Sequence, residues 1–445
     1  MEVLRDCLPS SVRRTLKELP ESLDETYERI LKEIKKPNKY LAHRVLQCLV
    51  VAARPLRVAE LAEVLAVDFD DAEEIPRLNP GWRWEDQEQA LLIACSSLIA
   101  IVEAGDVEAI ASDLDVEVGD SRVVQFSHFS VKEFLTSSRL ASASEKISNY
   151  YVDLEPAHTI LAQTCLGVLQ QIQDDVEGYI PDHPLARYAA KHWTSHAQFG
   201  EVSSHLHKGM EYLFDANKPH FKVWLALCDI DVRPAGAATF TLFAPYDKSP
   251  AAPLYYAALC GFHNLVEHLV AEYPQDVNAN GGYYVRPLVA ALAGGHFQTA
   301  DLLRLNSADP HGRGLFMNTP LHCAVNRGNF EVVQKLLEYD ADTNAGNEAQ
   351  ATPLHWAPYY DHHFKDGSAF RLLLEHGADV NARTESGQSP LHVASSNGAL
   401  GVVCLLLEHG ADVEAKRDDG KTALQVAAEN GKGNVVELLR EHGAK

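Results

Sequence analysis

The chain has 445 residues, of which 46% are hydrophobic and 23% charged, a composition typical of globular proteins and a length typical of two or three domains. Its formal net charge of -23 disfavours nucleic acid and anionic lipid as ligands and favours basic partner surfaces. The longest nearly apolar run, residues 90–102, is too short to cross a bilayer. Eight widely spaced cysteines without a CxxC pair, and an amino terminus without a signal peptide, indicate reduced thiols and a cytoplasmic or nuclear location.

The first predicted domain, residues 1–145, combines helices with a small β-wing. Ser22 is followed by Glu25 three residues later, which is a capping-box signal for a helix start. Residues 54–67 predict a second helix with its apolar residues on one face. Residues 98–102 and 123–126 are apolar and can pair as strands. This order of elements predicts a winged helix.

The second predicted region, residues 146–248, is a helical connector interrupted by prolines. We expect it to cover the open end of the solenoid that follows. Within it, residues 183–193 predict a helix that turns Leu185, Tyr188 and Trp193 inward.

The third region, residues 249–445, contains an internal repeat marked by an X-Pro-Leu signal or a close variant of it. The signal recurs at intervals of 34, 33, 33, 37 and 33 residues, and three copies extend to Thr-Pro-Leu-His or Ser-Pro-Leu-His at Thr319, Thr352 and Ser389. In period and wording these segments resemble the ankyrin repeat. The resemblance implies six repeats, at about residues 252–285, 286–318, 319–351, 352–388, 389–421 and 422–445.

Each repeat carries the signals of a helical hairpin followed by an extended finger. A hydroxyl residue before proline caps a first helix, and a glycine such as Gly398 allows the reversal into a second. One repeat buries too little apolar surface to offset the ordering of about 33 residues, so repeats must stack. A stacked array exposes a concave face of helices and finger tips. The predicted fold is therefore mostly α: a solenoid of about six ankyrin repeats after a winged-helix domain.

Glycine is missing from key turns of the second and third repeats. Ser307 and Asp340 stand where later repeats end the second helix with glycine, and Met317 and Gln350 stand in the finger turn. Because a β-carbon disfavours left-handed backbone, we expect these two repeats to be looser.

The fourth repeat contains a four-residue expansion between its helices. Pro358 must shorten its first helix. The aromatic residues Tyr359, Tyr360 and Phe364 then lie in a protruding loop, which is either a tolerated insertion or a partner contact.

Five short motifs stand out in the first two regions: Leu19-Pro20, Leu23 to Ile30, Arg54-Pro55-Leu56, His128 to Leu135 and Pro184 to Trp193. They resemble the part of fungal NACHT-type (STAND) signalling ATPases that follows the nucleotide-binding core. The resemblance implies a winged helix like that named for a GPI inositol-deacylase, which in the family packs on the NTPase core. The core itself is absent, since no GxxxxGK[ST] phosphate loop occurs.

Catalytic and DNA-binding functions are disfavoured by further absences. No Gly-x-Ser-x-Gly nucleophile elbow occurs. Residues 54–77 carry seven acidic side chains against three arginines, unlike a recognition helix. We predict neither an enzyme nor a cofactor.

Histidines are frequent, and His322, His355 and His392 recur at one repeat position. A metal centre needs ligands that converge on one point within about 2.0–2.3 Å, whereas repeat periodicity separates these side chains. The resemblance to ankyrin implies that each bonds backbone groups of adjacent turns. We therefore predict no metal site.

The sequence thus predicts a cytoplasmic or nuclear protein-binding scaffold or sensor in intracellular signalling or self/non-self recognition. The alternative is the regulatory half of a NACHT NTPase switch, with the nucleotide-binding core upstream or in another chain and bound by the winged helix. A third and weaker hypothesis is a DNA-binding regulator. The residues predicted to project from the finger tips and to contact a protein partner are Arg313, Phe316, Asn347, Arg383, Glu385, Lys416, Arg417, Asp418 and Asp419.

Overall fold

The fold is taken from a computed structural model that describes residues 22–69, 76–103, 122–172, 183–228, 230, 251–282, 284–313, 317–327, 330–356 and 368–445. The chain divides into two compact units, residues 1–230 and 231–445. Each unit has its own hydrophobic core.

The first part of the amino-terminal unit mixes helices with short strands. Ser22 caps the first helix, because its Oγ accepts the backbone N–H of Glu25 at 3.2 Å, as the sequence predicts. The elements are α1 (Leu23–Glu33), α2 (Lys39–Val51), β1 (Leu56–Arg57), α3 (Val58–Leu65), β2 (Val67–Asp68), β3 (Arg77–Leu78), α4 (Gln87–Cys95), β4 (Ile99–Glu103) and β5 (Arg122–Phe126).

The predicted wing is present. Strands β4 and β5 pair antiparallel, with Ile101 opposite Val124, and the two-residue strand β1 joins the other edge of β5 to give the order β1-β5-β4. The sequence did not predict β1, since two residues are too few to show an alternation pattern. A winged-helix arrangement is therefore confirmed.

The rest of this unit is helical. A buried aromatic cluster holds its last helices together: the rings of Trp193 and Trp224 lie 5.4 Å apart, and Phe214 contacts both. Trp193 and Tyr188 point inward as predicted. The helices are α5 (Ser130–Leu135), α6 (Ser138–Ala141), α7 (Glu145–Ser148), α8 (Leu154–Leu169), α9 (Ala186–Ala197), α10 (Val202–His205), α11 (His207–Phe214) and α12 (His220–Leu227).

Helices α8 to α12 belong to the same compact unit as the wing. Helix α8 packs against both α2 and α9. That residues 146–248 also cover the first repeat stays a prediction.

The carboxy-terminal unit is a row of helical hairpins joined by fingers. Hairpin 1 is α13 (Pro253–Cys260) with α14 (His263–Glu272), hairpin 2 is α15 (Pro287–Ala293) with α16 (Phe297–Leu305), hairpin 3 is α17 (Pro320–Arg327) with α18 (Phe330–Glu338), hairpin 5 is α20 (Pro390–Asn397) with α21 (Leu400–Glu408), and hairpin 6 is α22 (Ala423–Glu429) with α23 (Gly433–Glu441). We call the first helix of a hairpin the inner helix and the second the outer helix. The inner helices begin where the X-Pro-Leu signal, or its close variant, predicts. Gly261 and Gly398 end them with positive φ angles of 73° and 77°, the left-handed backbone that the reversal requires.

The fourth repeat differs from the others. Its second helix is α19 (Ser368–Glu375), but the described part of its inner element is only a 3₁₀ turn, Pro353–His355. Trp356 already leaves helical geometry, with ψ at 52°. The loop residues Tyr359, Tyr360 and Phe364 lie outside the described residues, as does Phe316 of the finger between hairpins 2 and 3.

Candidate protein-interaction surface

Buried histidines in the third, fourth and fifth repeats link the start of one repeat to the finger that leads into the next. His322 Nδ1 accepts the backbone N–H of Thr319 at 3.1 Å, so Nε2 carries the proton and donates at 2.8 Å to the carbonyl of Ala351, which directly precedes the next helical element. His355 reaches Gln388 O at 3.1 Å in the same way. A histidine at this position therefore closes its own helix start and ties two hairpins together.

The links require neutral imidazole. Burial lowers the pKa of His322 to about 4, and burial also lowers the pKa values of His355 and His392. Among the described residues, no three His, Cys, Asp or Glu side chains converge on a point that could hold a metal ion. The recurrent histidines have the backbone-bonding role that the ankyrin resemblance implies.

Asparagines at the finger bases form a second set of links, which the sequence analysis missed. Asn344 donates to Gly377 O at 3.0 Å and accepts the N–H of Asp379 at 2.8 Å. Asn381 repeats both contacts one repeat later, with Gly410 O at 3.3 Å and the N–H of Asp412 at 2.8 Å. The recurrence of Asp-x-Asn at the same phase of the repeat is the signal that could have identified them.

The finger tips also lie side by side. The backbone N–H of Glu385 donates to Ala349 O at 3.0 Å, and that of Asp418 donates to Ser386 O at 3.3 Å. Arg313 reaches across from its own finger to the carbonyl of Gly346 at 2.9 Å. These bonds join consecutive tips into one continuous edge.

Several of the predicted contact residues form hydrogen bonds or ion pairs within this edge. Arg383 donates to the carbonyl of Lys416 in the next finger. Arg417 pairs with Asp419 in its own turn, and hydrogen bonding from this guanidinium lowers the pKa of Asp419 to about 2. Arg383 and Arg417 therefore also stabilise the fingers, so charge reversal there would alter the array as well as any partner contact.

Asn347 does not project as expected. Its side chain is only 8% exposed and donates to Asn318 Oδ1 at 3.0 Å. It also accepts the backbone N–H groups of Ala349 and Ala351 at 3.0 and 2.9 Å. Asn347 therefore shapes the third finger instead of pointing to solvent.

Three acidic side chains remain at the edge: Glu348, Glu385 and Asp418. They occupy the same position in three successive fingers, and all are exposed. None of the three carboxylates makes a hydrogen bond or an ion pair with another described residue. We call them the acidic tip row. Glu348 was missed by the sequence analysis, although an acidic residue at one phase of three repeats is visible there.

Helix α3 and the segment that begins at residue 183 are in direct contact within the amino-terminal unit. The Glu63 carboxylate of α3 is 1% exposed and accepts the backbone N–H of Leu185 at 2.6 Å. Glu63 also pairs with Arg83 and His183. The segment that begins at residue 183 thus packs on the winged helix through a buried carboxylate.

The Arg54-Pro55-Leu56 motif lies at the same interface. Arg54 forms two hydrogen bonds with Glu60, at 2.6 and 2.8 Å. Its guanidinium carbon lies 5.0 Å from the ring centre of Tyr188, and the Tyr188 hydroxyl accepts the N–H of Ala53 at 3.1 Å. These residues therefore have a structural role in the described chain.

Comparison with known families agrees with this geometry. Residues 288–384 and 362–445 match the family described as "Ankyrin repeats (3 copies)". The hairpins within residues 288–445 are ankyrin repeats. Residues 27–145 match "GPI inositol-deacylase, winged helix domain".

A curated relative is "Azaphilone pigments biosynthesis cluster protein L" of Monascus ruber, which is 29% identical over 289 residues. The match covers 62% of this ankyrin-repeat chain and 57% of the relative, so the chain spans little more than half the length of the relative. In the described part of the chain, no helix has both the length and the apolar character needed to cross a bilayer.

Proposed function

We propose that this chain is a non-catalytic scaffold or sensor whose ankyrin array holds a protein partner along the finger tips and the adjoining inner helices. The observation that carries the proposal is the finger edge, because hydrogen bonds between neighbouring fingers hold it in one shape before any partner arrives. Such preorganisation lowers the cost of association. The name of the relative gives a biosynthesis cluster and no reaction, so a binding role is the one that the repeats support.

The acidic tip row favours a partner segment rich in lysine or arginine. Three carboxylates on adjacent fingers attract such a segment, and the overall charge of -23 steers it toward the protein. The remaining predicted contact residues, Lys416 and Asp419, border this row.

The proposal is tested by charge reversal in affinity capture from cell extract. The variant Glu348→Lys/Glu385→Lys/Asp418→Lys is compared with the wild type and with Glu331→Lys/Glu408→Lys/Glu441→Lys, which changes the net charge equally on exposed outer helices. We expect at least one protein to be retained by the wild type and by the outer-helix variant but lost from the tip variant. An unchanged set of retained proteins would remove the tip row from the binding surface.

A second candidate function is the regulatory half of a nucleotide-driven switch. The match of residues 27–145 to a winged helix and the resemblance of the surrounding words to NACHT proteins favour it. In this case the NTPase core lies in another chain or upstream in a longer product. Saturable ATP binding by the purified 445 residues would contradict both candidates, since neither places a nucleotide site in this chain.

A further inference from the structure

Left-handed backbone is distributed unevenly between glycine and other residues along the array. At the end of the second helix, Ser307 and Asp340 have φ angles of 66° and 61°. At the same point in later repeats, Gly377, Gly410 and Gly443 have φ angles of 81°, 84° and 93°. The backbone geometry is therefore kept, although the residue suited to it is absent from repeats two and three.

The finger turns repeat this contrast. Met317 and Gln350 have φ angles of 59° and 57°, where Gly387 and Gly420 have 70° and 82°. In left-handed backbone a β-carbon crowds the following carbonyl oxygen. This strain lowers the stability of the folded state relative to the unfolded chain. Four residues therefore oppose the folded geometry within residues 307–350, whereas residues 368–445 have glycine at every equivalent position.

The side chains of these four residues contribute no bond that offsets the strained backbone. The side chains of Ser307, Met317, Asp340 and Gln350 are exposed, and none forms a hydrogen bond or ion pair with another described residue. Met317, an apolar residue, is 47% exposed. The geometry is thus held by backbone hydrogen bonds, by bonds from Asn278 to Ser307 O and within the finger turn of Asn347, and by the stacking of the hairpins.

The next inner element begins differently from the others. A repeat is stabilised by the inner helices on both sides, and this element starts as the 3₁₀ turn Pro353–His355, which ends at Trp356 with a non-helical ψ of 52°. Hairpin 5, by contrast, packs on the complete inner helix of hairpin 6.

From these observations we infer that hairpins 2 and 3 open to solvent as a separate segment while hairpin 5 stays folded. The segment carries the second and third fingers, so its closure forms one end of the interaction edge. That last consequence rests on the proposed function; the opening itself is a property of the chain alone.

Hydrogen exchange of the full chain, followed by mass spectrometry under conditions where exchange reports opening equilibria, tests the inference. We expect amides of residues 287–305 and 320–338 to be at least tenfold less protected than those of residues 390–408. The variant Ser307→Gly/Met317→Gly/Asp340→Gly/Gln350→Gly should slow their exchange by about two- to fivefold per substitution, after the greater chain entropy of glycine offsets part of the gain.

A reciprocal variant is the matched control. Gly377→Ser/Gly410→Asp/Gly420→Gln places the same residue types at turns where a β-carbon meets nothing within 4 Å, so only backbone conformation is changed. We expect it to accelerate exchange in residues 368–408 by a similar factor. Equal protection of all hairpins in the wild type, or a glycine variant without effect on residues 287–338, would overturn the inference.

Failure of this test is distinguishable from failure of the proposed function. Exchange measures opening of the chain without a partner, whereas the capture experiment compares surface charges on the folded array, so either result can fail while the other holds.

Discussion

At the scale of single residues, polar side chains that bond backbone groups act mainly as connectors. The buried His322 bonds the carbonyl that precedes the fourth repeat, the exposed Asn344 bonds backbone groups of the next repeat, and the buried Glu63 bonds a backbone N–H at the start of a distant helix. Each side chain contributes little to stability by itself, because its hydrogen bond forms only when the partner element is in place. Their substitution should therefore change stability in ways that local helix propensity does not explain.

The His322 link makes stability depend on pH. Because burial lowers its pKa in the folded state to about 4, the unfolded chain binds the proton more tightly between that value and about 6.5. The contribution of His322 is fully present above about pH 6.5 and is lost as pH falls, by about 1.4 kcal/mol per unit. Urea unfolding of the array, followed by circular dichroism at pH 7.5 and 5, measures this loss.

The variant His322→Gln separates the contribution of His322 to the pH dependence of stability from the contributions of other titratable groups. We expect it to be about 1 kcal/mol less stable at pH 7.5 and less sensitive to acid than the wild type. His376→Gln is the control, since His376 is exposed and, among the described residues, its ring bonds only to the nearby carbonyl of Leu372. Equal acid sensitivity of wild type and His322→Gln would contradict the assignment.

Glu63→Gln tests the buried carboxylate of the amino-terminal unit. The change keeps the shape but removes the charge that Arg83 and the Leu185 N–H contact. We expect a loss of about 2 kcal/mol in the free energy of unfolding, measured by urea titration. The exposed Glu145→Gln should be neutral within about 0.5 kcal/mol; a neutral Glu63→Gln would show that the interface does not need the charge.

At the scale of elements, the hairpins were predictable and the joints between them were less so. The X-Pro-Leu signals located the first helices because proline and a capping hydroxyl act within one turn. The wing strands were predictable from apolar runs, but β1 to β3 were not, since two-residue strands exist only through their neighbours. Asn347 was misjudged for a related reason: its turn folds over its own side chain, which position in the repeat does not show.

Asn344→Ala tests the joint between fingers. Removing the side chain breaks bonds to Gly377 O and to the N–H of Asp379, and the expected cost is about 1–2 kcal/mol. Asn344→Ala/Asn381→Ala should lose the sum of the two single changes, because the two joints lie in different interfaces. Thermal unfolding monitored at 222 nm reports both. A much smaller combined loss would mean that one broken joint already uncouples the fingers.

At the scale of the whole molecule, two cores of different kinds share one chain. The amino-terminal unit contains the buried Trp193 and Trp224, whereas Trp356 is the tryptophan of the repeats. One core contains an aromatic cluster that joins the helices between residues 193 and 224, and the other is a row of similar layers. The first could not be assembled from sequence alone, because its contacts follow no period.

Separate cores should give separate unfolding transitions. Fluorescence of the variant Trp356→Phe reports only the amino-terminal unit, whereas circular dichroism reports helices of both. We expect the two signals to give different urea midpoints, since a two-state transition requires coincidence. Coincident curves would show that the units unfold as one cooperative body.

The links that end on main-chain carbonyls have an evolutionary consequence. Every amino acid carries such a carbonyl. The histidine can therefore donate to any residue at the acceptor position, as Ala351, Gln388 and Lys421 illustrate. Gene duplication or loss of a repeat thus preserves the joint while substituting a new fingertip. Recombination can rewrite what such a protein recognises without rewriting how it folds.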